Sequence, residues 1–272
     1  MTTALQIAIS ARSVQMIGFS RTAQAGVCVE GMPPLRFERV NMGVSNQYKK
    51  VCEELQACVQ VAGRAPESVK LIAVSKTVGM PEIEEAFAAG ACDFGENRPD
   101  CIQEKQPLLP QANWHFIGNV QSRALPVIVQ HSCLIHSVYK ASHLPVIDKE
   151  AEKCGKVQDI LLEVNVSGEE SKGGCSPKEL PSLLEEAAGY EHIRVCGLMT
   201  MAPQGNLEVA KECFETLAAL HAEMKAGLAE QQAQSFTELS MGMSEDWREA
   251  VAAGATIIRV GRAIFSNSFT EG

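Results

Sequence analysis

Apolar positions recur every three or four residues along the stretch that opens at Val44: Val44, Tyr48, Val51, Cys52, Leu55, Val59 and Ala62. A period near 3.6 predicts an amphipathic helix. The pattern then changes to "VKLIAVSK", whose apolar run is nearly continuous, as in parallel strands covered on both faces. Behind it, Pro81 suits a first helical turn, Ile83 and Phe87 share a face, and Gly90 suits a C-terminal cap. This strand-helix unit repeats. Strands are predicted at "CDFG" (92–95), "WHFIG" (114–118), "CLIHSV" (133–138), "QDILLEVNV" (158–166) and "IRVCGLMTM" (193–201), then at "FTELSMG" and "TIIRVG". Helices are expected from near Asn97, within "VQSRALPVIVQ", up to about Cys154 and from Pro177 to Ala188. A further stripe joins Leu207, Ala210, Phe214, Leu217, His221 and Met224, and a last helix carries Trp247, Ala250 and Val251 before Gly254.

Eight alternating strand-helix units imply an α/β protein with a (β/α)8 TIM barrel, preceded by a leading helix. The strands end near Lys76, Gly95, Ile117, Ser137, Val164, Met199, Ser240 and Val260. Such barrels run to about 250 residues as one domain, so residues 41–272 form a single unit. The rival is an open doubly wound sheet, but no G-x-G-x-x-G follows the first strand. Residues 1–40 read as a leader or extension. The first 29 carry Arg12, Arg21, several Ser and Thr and no acidic residue, as transit peptides do; an extended start before Met32 or Met42 is the other reading.

Composition narrows the partners. A net charge of −9 without a basic cluster gives no footprint for nucleic acid. No apolar run approaches the roughly 20 residues that cross a bilayer, so no membrane association is expected. Ten cysteines fall in no metal or disulfide pattern, which points to a reducing compartment. A small-molecule ligand remains.

In a barrel of this kind the site lies at the C-terminal strand ends, with phosphate often bound after strands seven and eight. There stand "SMGMS" (240–244), with Ser240, Gly242 and Ser244, and "RVGRAIF" (259–265), with Gly261 free to bring its backbone to a ligand. Taken singly, each loop reads equally as a cap and a turn. Lys76 ends strand one, which neighbours strand eight in a closed barrel. A neutral lysine amine condenses with an aldehyde, and burial beside a cation favours the neutral form. Aldehyde and phosphate on one small molecule suggest pyridoxal phosphate. Arg259, two residues before Gly261, would then face the pyridine nitrogen, to which it can donate a hydrogen bond but from which it cannot accept a proton. A surface ion-pair role is its alternative.

The ordered segments "LIAVSKT", "FGEN", "WHFIGNVQSR", "IHSV", "VNVSGEESKGG", "GLMTM", "LSMGMSEDW" and "IRVGRAIF" resemble those of the pyridoxal phosphate homeostasis proteins, a family similar in fold to the barrel domain of alanine racemase. The resemblance implies a fold-type III pyridoxal 5'-phosphate site. In it Lys76 forms the Schiff base, Ser240, Gly261 and the backbone of Arg262 hold the phosphate with Gly242 in the same loop, and Arg259 meets the pyridine nitrogen. Asn97 is a further cofactor neighbour or else a helix cap. Departures at Arg98 to Asp100, Tyr139, Cys196 and Ser266 touch neither the lysine nor the phosphate positions. His115 and His136, near strand ends, read as packed structural histidines.

Three functions are weighed. The first is a non-catalytic carrier that keeps pyridoxal phosphate as a reversible lysine adduct, with apo-enzymes as recipients. The second is a fold-type III amino-acid racemase. That reading needs a second domain, for which the roughly ten residues after the last strand leave no room. The third is a Schiff-base aldolase acting on sugar phosphates. A cytoplasmic monomer is expected; a mitochondrial or plastid location is the alternative if residues 1–40 are a transit peptide.

Overall fold

The computed structural model describes residues 43–169 and 172–266. The leader expected over 1–40, with its transit-peptide reading, lies outside the described residues. Eight parallel strands close in sequence order into a barrel. They alternate with helices as α1 (Val44–Val61), β1 (Lys70–Val74), α2 (Met80–Ala88), β2 (Asp93–Glu96), α3 (Pro99–Lys105), β3 (Asn113–Phe116), α4 (Leu125–His131), β4 (Leu134–Val138) and α5 (Leu144–Lys153). The order continues with β5 (Gln158–Glu163), α6 (Leu180–Ala187), β6 (Ile193–Met199), α7 (Leu207–Gly227), α8 (Glu230–Ser235), β7 (Glu238–Ser240), α9 (Trp247–Ala252), β8 (Ile257–Val260) and α10 (Arg262–Phe265).

The period-2 alternation of the strands divides the apolar side chains into two separate cores. One set, Ile72, Val74, Leu134, Leu161, Cys196, Met199 and Ile257, fills the barrel interior. The larger set lies between the outer face of the sheet and the helices, where Ala73, Phe94, Trp114, Phe116 and Ile135 meet Ile83, Ile102 and Leu125. Continuous apolar strands thus serve two cores at once. Leading helix α1 buries Val44, Tyr48, Val51, Leu55 and Val59 and lies against α2, α9 and α10, covering the seam where β8 meets β1.

Several boundaries differ from the sequence expectation. Ala62 caps α1 rather than continuing its stripe. The Glu179 carboxylate accepts hydrogen bonds from Ser176 N and Oγ, both 2.8 Å; this holds 176–179 in a turn, and α6 begins at Leu180 rather than Pro177. Leu207 starts α7 and stands half exposed, because the helix meets the barrel only from Ala210 onward. Short helix α8 has no signal in the apolar pattern: its six residues, Glu230–Ser235, have no buried member.

Candidate functional site

Inward alternation along β1 runs Lys70, Ile72, Val74, and Lys76 is next in phase, just past the strand. Its position is fixed by the residue before it. Ser75 N donates to Gly95 O at 3.0 Å, and its hydroxyl donates to Glu96 Oε1 at 2.7 Å. Lys105 Nζ donates to the same carboxylate oxygen at 2.6 Å and to Ser75 O at 3.0 Å. Glu96 is fully buried and Lys105 nearly so, so an ion pair inside the fold clamps the turn that carries Lys76. Lys76 itself is exposed and has no hydrogen-bond or ion-pair partner among the described residues. The expected burial of this amine is therefore corrected: Lys76 lies beyond the last buried strand residue. It lines a cleft of about 700 Å³ together with Ile117, Asn119, Glu163, Met201 and Met243.

Closure of the barrel brings the strand-eight turn to this lysine. Ala73 pairs with Val260, so Gly261 follows β8 beside Val74. A Cβ on Gly261 would lie 3.1 Å from Val74 O, and its absence lets the two backbones meet. Gly261 N–H donates to Ser244 Oγ at 3.3 Å, which joins the loops after β7 and β8. Within the β7 loop, Gly242 has φ +92°, and a Cβ there would lie 2.6 Å from Ala250 Cβ, so glycine is needed to seat α9. Asp246 Oδ1 accepts from Met243 N at 2.6 Å; burial raises its carboxyl pKa, against that hydrogen bond and the Arg259 charge. Arg262 begins α10, and its exposed side chain turns outward to Glu245 Oε1 at 2.8 Å.

Arg259 is inside the barrel, not a surface ion-pair residue. Its Nη1 donates to Ser240 Oγ at 2.5 Å and its Nη2 to Thr200 O at 3.0 Å. Burial lowers the guanidinium to about 10, opposed by Asp246 and Glu163. Ser240 is fully buried, and its hydroxyl also meets His136 Nδ1 at 2.9 Å. From there the polar chain continues through His136 Nε2 and His115 Nδ1, 3.1 Å apart, to His115 Nε2 and Asp93 Oδ1, 3.0 Å apart. Burial works to lower the His115 pKa, but the hydrogen bonds and charges of Asp93 and Cys133 together outweigh it and push it up to about 9. His136 is held well below its usual value by burial and by His115, Arg259 and Lys70. Burial pushes the Glu163 carboxyl, on the cleft wall, up to about 7, with Arg259 opposing.

Lys76, Gly261 and the Ser240–Ser244 loop thus share the C-terminal end of the barrel, as the sequence implies, with Arg259 below them. Asn97 is exposed and does not cap α3, whose N-cap is Arg98 without a side-chain bond. His115 and His136 are buried as packed residues, yet each ring is hydrogen-bonded rather than merely enclosed. Sequence reasoning does not single out Glu163, Asp93, Glu96 or Lys105. Their inward or clamping positions come from period 2 and strand register, a signal that could have flagged Glu163 and Asp93. Among the described residues no group of three or more His, Cys, Asp or Glu is placed to hold a metal ion, and no helix is long and apolar enough to cross a membrane.

Known proteins share this fold. Residues 53–268 match the family model of the alanine racemase N-terminal domain. A pyridoxal phosphate homeostasis protein of Aquifex aeolicus is 36% identical over 227 residues, 82% of this chain and 98% of the relative. The protein of the same name from Escherichia coli is 31% identical over 82% of this chain and 95% of its own length. The structure of PipY from Synechococcus elongatus with PLP bound superposes at a TM-score of 0.67, with 35% identity, over 79% of this chain and all of that one. An alanine racemase of Clostridium difficile, 13% identical, shares the fold at a TM-score of 0.60 over 79% of this chain and 55% of its own.

Proposed function

The chain belongs to the alanine racemase N-terminal domain family and, within it, to the pyridoxal phosphate homeostasis proteins, and from that premise we propose that it holds pyridoxal 5'-phosphate in reversible form for intracellular homeostasis. The observation that carries this reading is the β1 to β8 pairing, which brings the Gly261 turn against Val74, two residues before the lone amine of Lys76. The residues fit the group. An aldehyde needs an accessible amine, and Lys76 is exposed without a competing partner among the described residues. A phosphate needs unhindered amides and hydroxyls, and Gly242, Gly261, Arg262 and Ser244 surround one turn, whereas the Ser240 hydroxyl, expected there from the sequence, is taken up by Arg259 and His136. Asn97, on the rim after β2, is a further contact.

When bound, the cofactor supplies an aldehyde that condenses with a neutral lysine amine, losing water to form a C=N bond that water reverses. The chain's own groups govern the outcome. Arg259 can donate to a ring nitrogen but cannot give up its proton to it, which would leave the ring a poorer electron sink than one paired with a carboxylate. Glu163 can hold or release a proton near neutral pH at the cleft wall. Of the tyrosines, Tyr48 is buried with its hydroxyl toward Gly90 O, and Tyr139 reaches Asn119 at 3.4 Å. Neither contacts Lys76. These features favour a carrier over a racemase; apo-enzymes as recipients and a monomeric working form belong to the same proposal. All nine described cysteines are free, which supports a reducing, cytoplasmic setting.

Loading the purified protein with pyridoxal phosphate should give a visible absorption band that borohydride converts to a stable adduct, mapped by mass spectrometry to the Lys76 peptide. Lys76→Ala should lose the adduct completely. A protein that takes up no chromophore would refute the reading, and rapid racemization of alanine by the loaded protein would replace the carrier with an enzyme.

A further inference from the structure

The polar chain through the barrel core joins residues that no reading of the cleft alone brings together. Asp93 opens β2 at the N-terminal rim, whereas Arg259 stands toward the opposite mouth. Between them His115, His136 and Ser240 come from β3, β4 and β7, so the chain follows neighbouring strands on either side and crosses the interior between His136 and Ser240. Every member except Asp93 is at most 5% exposed. Buried polar groups at such spacing must each find a partner, and the two histidines can do so in either of two proton arrangements. With His115 neutral, Arg259 Nη1–H donates to Ser240, Ser240 O–H to His136 Nδ1, His136 Nε2–H to His115 Nδ1, and His115 Nε2–H to the Asp93 carboxylate. One added proton on His115, which its pKa of about 9 favours at neutral pH, makes His115 Nδ1–H donate to His136 Nε2 and His136 Nδ1–H to Ser240 Oγ, while Arg259 still donates to Ser240. The guanidinium is held in either state.

Arg259 has few other constraints. Thr200 O is its remaining hydrogen-bond partner, and the two carboxylates that act on it, Asp246 and Glu163, do so through their charge. A planar guanidinium bonded only at Thr200 could swing about its long stem. A second bond to a hydroxyl that is itself immobilised removes that freedom.

We propose that Asp93, His115 and His136 are positioning residues: through Ser240 they fix the plane of Arg259 for the cofactor ring, although none of them faces the cleft. This deepens the pyridoxal phosphate reading and rests on it only for the identity of the ligand. The bland alternative is a set of core polar residues that merely fill the barrel.

Two readouts separate these. In ligand-free protein, nitrogen NMR of the Arg259 side chain reports rotation of the guanidinium. Wild type should show two resolved Nη signals, His136→Leu a single averaged one, and His136→Asn, whose side-chain amide can still accept from or donate to Ser240, the resolved pair again. Titration with pyridoxal phosphate should show binding about three- to tenfold weaker for His136→Leu, the worth of one oriented hydrogen bond, with a shifted absorption maximum. His136→Asn should recover both. If His136→Leu does not fold, Asp93→Ala carries the test against Asp159→Asn on the same rim: the first should loosen Arg259, the second should not. Resolved Nη signals in His136→Leu or Asp93→Ala, or an Asn variant as impaired as the Leu variant, would overturn the proposal. A wild type that binds no pyridoxal phosphate yet shows the NMR pattern overturns the ligand assignment and leaves the positioning intact.

Discussion

The two ends of the barrel are built from the same eight strands and the same inward alternation, yet they treat charge in opposite ways. At the N-terminal rim charged side chains other than Lys70 find partners: Arg194 holds Asp159 through two bonds of 2.6 and 2.8 Å, Asp93 holds His115, and Glu238 accepts from Thr256. At the C-terminal mouth Lys76 has no side-chain partner and the Glu163 carboxylate sits buried without a hydrogen bond among the described residues, while backbone approaches are kept open by glycine. Satisfied groups stabilise and leave nothing to offer a ligand. Unsatisfied ones cost stability and are where a ligand can be recognised. The exception at the mouth is the Glu96–Lys105 pair, which lies beneath the surface and serves to anchor Ser75.

That contrast can be broken at three points. The largest effect is expected from Lys105→Met. It leaves the Glu96 carboxylate buried without its cation and should lower stability by about 3–5 kcal/mol in denaturant unfolding. It should also weaken covalent retention at Lys76, since Ser75 loses its anchor. A change below about 1 kcal/mol would mean that solvent reaches the carboxylate and the pair is no clamp.

Glu163→Gln should do the reverse and stabilise the ligand-free protein. Its folded pKa of about 7 lies above the ordinary glutamate value, so the folded state binds the proton more tightly than the unfolded chain. The group's contribution to stability is complete below the unfolded value and is lost as pH rises through about 7. The variant should therefore gain on the order of 2 kcal/mol at about pH 8 and little at about pH 4. Equal gain at both pH values would exclude charge burial as the cause.

The smallest effect belongs to the rim. Asp159→Asn breaks a pair whose arginine is 53% exposed, and thermal unfolding should register less than about 1 kcal/mol. A larger loss would show that the two ends are less different than their exposure implies.

Much of this molecule is legible along the chain. Continuous apolar strands and amphipathic helices repeat often enough to give the barrel, and barrel geometry then points to the ends of strands one, seven and eight. Lys76, Gly261 and Arg259 come out because each is one step of a period-2 or turn argument from its own segment. Gly242 reads as a ligand residue, and the structure gives it an additional reason, the seating of Trp247 and Ala250 against its backbone.

What only the tertiary structure decided is which side chains cross the barrel to meet. Ser240 looks like a loop hydroxyl in "SMGMS", but its side chain turns inward to Arg259 and His136, which lies 104 residues away. His115 and His136 read as packing because each histidine, seen alone, sits in an apolar strand. The sequence by itself determined which residues point inward, since alternation is a local property of the backbone. It could not determine which inward residues meet, because that depends on the register of eight strands and the width of the barrel they close. Hydrogen bonds of about 3 Å form or fail on that closure alone.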